Sequence, residues 1–158
     1  EIKSIKALVE SIPPKIECSI NIVKPNDFQL NKFFYKNVGK KHRWIDRLVW
    51  SEAEWIKYSS DPKVETYILK VKNELAGYFE LIFHLESQET EIAYFGLLEE
   101  YHNKKLGGHL LSEAIKKSFE KKDIKRVWVH TCTLDHKNAI KNYLARGMKI
   151  YKKETIKF

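Results

Sequence analysis

Residues 91–119, EIAYFGLLEEYHNKKLGGHLLSEAIKKSF, join a strand, a tight basic turn and an amphipathic helix. The run Ile92–Leu98 is apolar almost throughout and bounded by charge, as in a strand covered on both faces. Glu99 to Lys105 follow, and then the adjacent pair Gly107 and Gly108. From Leu106 the apolar residues Leu110, Leu111, Ala114, Ile115 and Phe119 form one stripe of a helix of period 3.6. The first turn of a helix leaves backbone N–H groups without partners and carries the positive end of the macrodipole, so a polyphosphate can settle there. Glycine allows that approach to be close. Tight packing of a helix on a sheet yields the same pattern, so the stretch alone leaves both readings open.

The 158 residues, 43% apolar, suffice for one compact domain over residues 1–158 with a sizeable core. No segment approaches the roughly 20 apolar residues of a membrane span, and no signal-peptide core stands at the N-terminus. Cytoplasm is therefore the expected compartment and a membrane partner is not expected. Cys18 and Cys132 lie far apart in no metal spacing and read as free thiols. The net charge of +8 admits a nucleic-acid partner, but the lysines are scattered without an arginine-rich stripe, which disfavours one.

Along the chain, residues 1–12 fit a short helix or a strand, and Pro13-Pro14 ends either. Ile16–Val23 alternates as a half-buried strand. Pro25-Asn26-Asp27 opens a helix carrying Phe28, Leu30, Phe33, Phe34 and Val38, stopped by Gly39. Ser51 and Glu54 have capping-box spacing, predicting a second helix from Glu52 to about Tyr58. Val64–Val71 and Leu75–His84 are strands joined at Lys72-Asn73-Glu74, and with Ile92–Leu98 they form an antiparallel meander. After the helix, Ile124–Cys132 reads as a strand parallel to Ile92–Leu98. Asp135 is expected to cap a last helix with Ala139, Ile140, Tyr143 and Leu144 on one face, ended by Gly147. Met148–Phe158 is expected to close as a strand.

The segment EYHNKKLGGHLL resembles the pyrophosphate loop of the GNAT acetyltransferases, with His102, Lys105, Gly107, Gly108 and Leu110-Leu111 at the motif's places. His102 stands where that family has Arg or Gln, and Lys105 replaces its first glycine. KNAIKNYLARGMKIY resembles the family's Ala-x-x-x-Tyr-x-x-x-Gly-Phe signature through Ala139, Tyr143 and Gly147, with Met148 for Phe and His136 at a place often held by Asn. VWVHTCTLDH is similar to a recurring phrase of one bacterial branch of small GNAT proteins. The resemblance covers roughly residues 64–151.

This resemblance implies an α/β (α+β) GNAT fold, a mixed and mostly antiparallel sheet flanked by helices with two splayed parallel strands. It implies transfer of acetyl from acetyl-CoA (coenzyme A) to an amine of a small molecule or peptide. The cofactor's arm would lie between Tyr94–Leu98 and Trp128–Cys132. A bulge near Gly96 or Leu97 would free the N–H of Leu97 or Leu98 for the arm and the thioester oxygen. His102, Asn103, Lys104, Lys105, Leu106, Gly107 and Gly108 would hold phosphates, with Asn138 completing the cofactor set. Tyr143 is the candidate acid for the departing thiolate, and Glu91, Glu80 or a water chain the base. His42, Trp44, Trp50 and Tyr94 would wall the acceptor pocket, although tryptophans are as readily core. His130, Asp135 and His136 lack a third metal ligand at fixed spacing, so no metal is expected. A catalytically silent acyl-CoA-binding module is the alternative, and a homodimer is left open.

Overall fold

The computed structural model describes residues 1–155 apart from Arg43, Thr133, Leu134 and Lys137. Its elements are β1 (Cys18–Ile22), α1 (Phe28–Gly39), α2 (Glu52–Ser59), β2 (Val64–Val71), β3 (Glu74–His84), β4 (Glu89–Leu97), α3 (Leu106–Ser118), β5 (Arg126–Val129) and α4 (Ala139–Ala145). The five strands pair in chain order, antiparallel except for the parallel pair β4–β5. Local chemistry fixes many of the ends. The Asp27 carboxylate accepts from the Gln29 N–H at the start of α1, and Ser51 and Glu54 form the expected capping box on α2. Lys72 and Asn73 both take positive φ, closing the two-residue turn between Val71 and Glu74. No helix of the described residues is long and apolar enough to cross a membrane.

Alternation along the strands divides the core between the two faces of the sheet. Tyr67, Leu69, Phe79, Leu81 and Ile92 pack with Leu106, Leu110, Leu111, Ala114 and Ile115 of α3 and with Tyr143 of α4. On the opposite face Ile68 and Tyr78 pack with Phe34 of α1, beside Leu98. A strand between two helical layers is buried on both sides, which is why β3 reads as an unbroken apolar run around Glu80.

Several expectations fail for identifiable reasons. The bulge lies at Ala93, between the pairs Glu80↔Tyr94 and Leu81↔Ile92, and not at Gly96 or Leu97. Gly96 answers a packing demand instead, since a Cβ there would run into Cγ1 of Val38 on α1. β5 ends at Val129, short of the expected Cys132, because pairing with β4 stops at Ile92↔Val129. Asp135 caps no helix: its carboxylate accepts from the Thr131 hydroxyl and the Cys132 N–H, and Asn138 precedes α4 without a side-chain bond. On α4, Ile140 and Leu144 are exposed while Tyr143 is buried. Residues 148–155 form no strand, although Lys149 exchanges hydrogen bonds with Glu1; residues 156–158 lie outside the described residues. At the N-terminus Ile2 bridges Val127 and Ile5–Ala7 is one 3₁₀ turn, so the segment is neither a helix nor a full strand.

The Gly96 contact predicts that Gly96→Ala costs about 1–3 kcal/mol of stability through overpacking. Adding Val38→Ala should return part of that loss, read as the shift in urea midpoint. A single variant as stable as the wild type would contradict the packing role.

Candidate active site

Where β4 and β5 part, the chain opens a groove of about 950 Å³. Beyond Ile92 the ladder holds β4 along one edge only. Leu98 N–H donates to the Ala76 carbonyl at 2.8 Å, and the antiparallel register alternates from there. The N–H groups of Phe95 and Leu97 therefore face the open edge. Leu97 is thus available as a donor to the groove, whereas the Leu98 N–H is spent inside the sheet, correcting that half of the expectation.

One end of the groove is the start of α3. Lys105 precedes the helix at φ 61° and ψ 23°, and its side chain makes no capping bond. A lysine therefore adopts the left-handed conformation that glycine usually supplies, and the backbone N–H groups at 106–108 open the helix without a capping side chain. Asn103 also takes positive φ, and with His102 and Lys105 it lines this end. His102 Nε2 lies 3.1 Å from the Leu97 carbonyl, so that nitrogen carries the proton. Its ring meets His136 with centroids 4.7 Å apart. Lys104 and Leu98 are not among the lining residues. Asn138 lines the wall, and Asn142, which sequence reasoning missed, donates to the Gly107 carbonyl at 3.0 Å and ties α4 to α3. Its only signal was the four-residue spacing from Asn138, which puts both on one helix face.

Tyr143 lines the groove from α4 and is 7% exposed. Burial, and then the negative charge of Asp135, push its phenol well above the ordinary tyrosine range, so it stays protonated. Glu91 lines the groove beside the last paired residues, and its Oε1 lies 3.0 Å from His84 Nε2. His42, Trp44 and Tyr94 line the wall opposite α3, with Trp44 and Tyr94 ring centroids 4.8 Å apart.

Two expected residues are placed elsewhere. Glu80 is fully buried and absent from the lining, on the sheet face that carries α1 and α2. Its Oε1 accepts from Arg47 Nη1 at 2.9 Å and from the Tyr58 hydroxyl at 2.7 Å, while Oε2 accepts from Asn31 Nδ2 at 2.7 Å. A carboxylate so engaged is not open to an amine in the groove. Trp50 also stays off the lining and packs on Trp55, Tyr58 and Arg47. Arg47, which does reach the groove, was missed; it was legible only as a lone cation inside the most aromatic stretch of the chain. Among the described residues no group of three or more His, Cys, Asp or Glu is placed to hold a metal.

Burial likewise raises the phenols of Tyr58 and Tyr78, with Glu80's charge adding to both. A folded-state pKa above the unfolded value means the native chain keeps protons that the unfolded chain has released. Stability is then fully present below about pH 10 and falls as pH rises past it. Urea midpoints measured upward from about pH 8 should show that fall, and Tyr143→Phe should make it shallower. An unchanged slope in the variant would contradict the burial of the phenol.

With the geometry in place, comparison with known proteins gives one family. The AAC(6')-Iy structure in complex with a CoA-S-monomethyl-acetylneamine bisubstrate analog has a TM-score of 0.67 at 10% identity, over 90% of this chain and 97% of that one. An aminoglycoside acetyltransferase from an uncultured soil metagenomic sample, in complex with trehalose, scores 0.66 at 10% identity, over 89% and 93%. A ribosomal-protein-alanine N-acetyltransferase from Brucella melitensis biovar Abortus 2308 scores 0.62 at 10% identity, over 90% and 100%. At such identities these likenesses speak for the fold. A human protein, a disintegrin and metalloproteinase with thrombospondin motifs 7, is 33% identical over 51 residues, which is 32% of this chain; the chain spans 3% of that protein's length, too little to carry a function. A model of the acetyltransferase (GNAT) family matches residues 28–148, from the start of α1 past the end of α4. That match spans both walls of the groove, and the chain belongs to the GNAT acetyltransferase family, whose members transfer acyl groups.

Proposed function

We propose that this acetyltransferase moves an acetyl group from acetyl-CoA directly to a primary amine of a small molecule or peptide. The single observation that carries the reading is the open edge of β4, where the Leu97 N–H faces a groove running from the start of α3 to Glu91. The residues fit the cofactor by donor chemistry. Uncapped N–H groups at 106–108 and the Lys105 cation suit phosphates, and an unpaired strand edge suits an extended amide-bearing arm. The CoA conjugate named for one structural neighbour supports that choice, and the aminoglycoside and ribosomal-protein acetyltransferases among the neighbours support an amine acceptor.

When bound, acetyl-CoA supplies an acyl group activated as a thioester. Leu97 N–H holds the carbonyl oxygen as negative charge grows on it, a contribution of about 3 kcal/mol to the barrier. Glu91, directly or through one water, would take a proton from the acceptor's ammonium, so that the neutral amine is what attacks. Tyr143 would give its proton to the sulfur that leaves as the C–S bond breaks and the C–N bond forms, and the second proton shed by the acceptor nitrogen would return through solvent to the Tyr143 phenolate. His84, hydrogen-bonded to Glu91 and half open to solvent, orients that carboxylate.

Thiol release should be measured over a panel of amines with acetyl-CoA. Tyr143→Phe should lower kcat about 10²- to 10⁴-fold while acetyl-CoA affinity by calorimetry stays unchanged, and Glu91→Gln should lower kcat by a similar factor. Tight cofactor binding with no turnover on any amine would overturn the reading, leaving a silent acyl-CoA-binding module.

A further inference from the structure

We infer that Arg47 and Glu80 form a buried clamp that positions the acceptor wall and thereby sets acceptor affinity, without contributing to cofactor binding. The inference rests on the proposed function in taking residues 44–46 as part of the acceptor wall. Arg47 is held at both its backbone and its side chain. Its N–H donates to the Tyr35 hydroxyl at 3.0 Å, and its guanidinium reaches Glu80 at 2.9 Å. Around that cation stand five rings: Tyr58 at 4.0 Å, Tyr94 at 4.3 Å and Trp50 at 4.7 Å, with Tyr35 and Trp55 beyond 5 Å.

An aromatic box of this kind attracts cations, and this one is filled by the protein's own arginine. Burial opposes the guanidinium's charge, but Glu80 and Tyr58 more than restore it, so its pKa is raised. A cationic acceptor therefore does not enter the box. It meets instead the groove side of Tyr94 and Trp44, rings that pack on each other and on Tyr35. Trp44, Ile45 and Asp46 belong to no regular element and immediately precede the anchored residue. Stability alone does not account for the pair, because a buried ion pair is often no more stabilising than apolar residues of the same volume. What the pair adds is direction. Glu80 rises from a central strand, and it accepts from Asn31 on α1, Tyr58 on α2 and Arg47 on the connection between them.

The test is the double variant R47M/E80Q, which removes both charges and keeps the volume, with Glu80→Gln alone read the same way in case the double variant fails to fold. Acetyl-CoA affinity by calorimetry should stay within about twofold, whereas the acceptor KM rises about ten- to a hundredfold with kcat little changed, the scale of a misplaced binding wall. Hydrogen exchange of residues 44–50 should accelerate while that of α3 does not. Arg47→Lys, which keeps the charge but not the fork, should fall between wild type and the double variant. Parallel loss of cofactor and acceptor affinity would reduce the pair to general stability and overturn the proposal, as would an unchanged acceptor KM. If the wild type acetylates no amine, the proposed function fails first. Exchange at 44–50 then still decides whether a clamp exists, and no acceleration there sinks it.

Discussion

The groove exists because β4 has a partner on one edge along its whole length and on the other only as far as Ile92. Parallel pairing with β5 runs for four residues, Glu89 to Ile92, and the extra residue at Ala93 falls where it ends. A bulge increases local twist, so the strand turns away from its neighbour just where the pairing stops. Main-chain donors that would be costly to leave unpaired in a closed sheet are thereby left facing a cavity. Every later feature of the site is arranged along this one open edge, with α3 at one end and Glu91 at the other.

Such an edge is useful only if both layers behind it are rigid, and the packing on each side shows how that is met. On the α3 side the helix contributes aliphatic residues, Leu106, Leu110, Leu111 and Ile115, against Leu69, Leu81 and Ile92 and the stacked rings of Tyr67 and Phe79. On the α1 side the layer is aromatic and contains a buried polar network: Glu80 receives three donors, and Asn31 gives its second hydrogen to Thr66 at 2.8 Å. A network satisfied in this way fixes orientation as well as depth, which aliphatic packing does less well. The polar network lies behind the groove wall that carries Trp44 and Tyr94, and the α3 end presents main-chain N–H groups.

The charge of the chain is distributed to the same end. A net charge of +8 spread over a lysine-rich surface says little by itself. Within the groove, however, Lys105 and the helix start lie at one end and Asp46 and Glu91 line other parts of the wall. The polarity of the site comes from this placement and owes little to the sum.

How much of this was legible in the sequence depended on the range of the interaction. Asp27, Ser51 with Glu54, and Lys72-Asn73 set helix starts and a turn through contacts within a few residues, and these were read correctly. The strand, turn and helix at 91–119 were likewise local, and they form in that order as β4, the turn before Leu106 and α3. Long-range pairing was not legible. No local rule says that Glu80, inside an apolar strand, would meet an arginine 33 residues earlier, or that Gly96 is small because Val38 of α1 arrives above it. β5 is shorter than its alternation suggests because pairing with β4 stops at Ile92↔Val129, although β4 itself runs on to Leu97. The sequence by itself determined the starts of α1 and α2, the turn at Lys72-Asn73 and the strand, turn and helix at 91–119, since each is decided by neighbours a turn or less apart. Only the tertiary structure decided which carboxylate faces the groove and which is locked behind it, because both sit in similar strands and differ only in what packs against them.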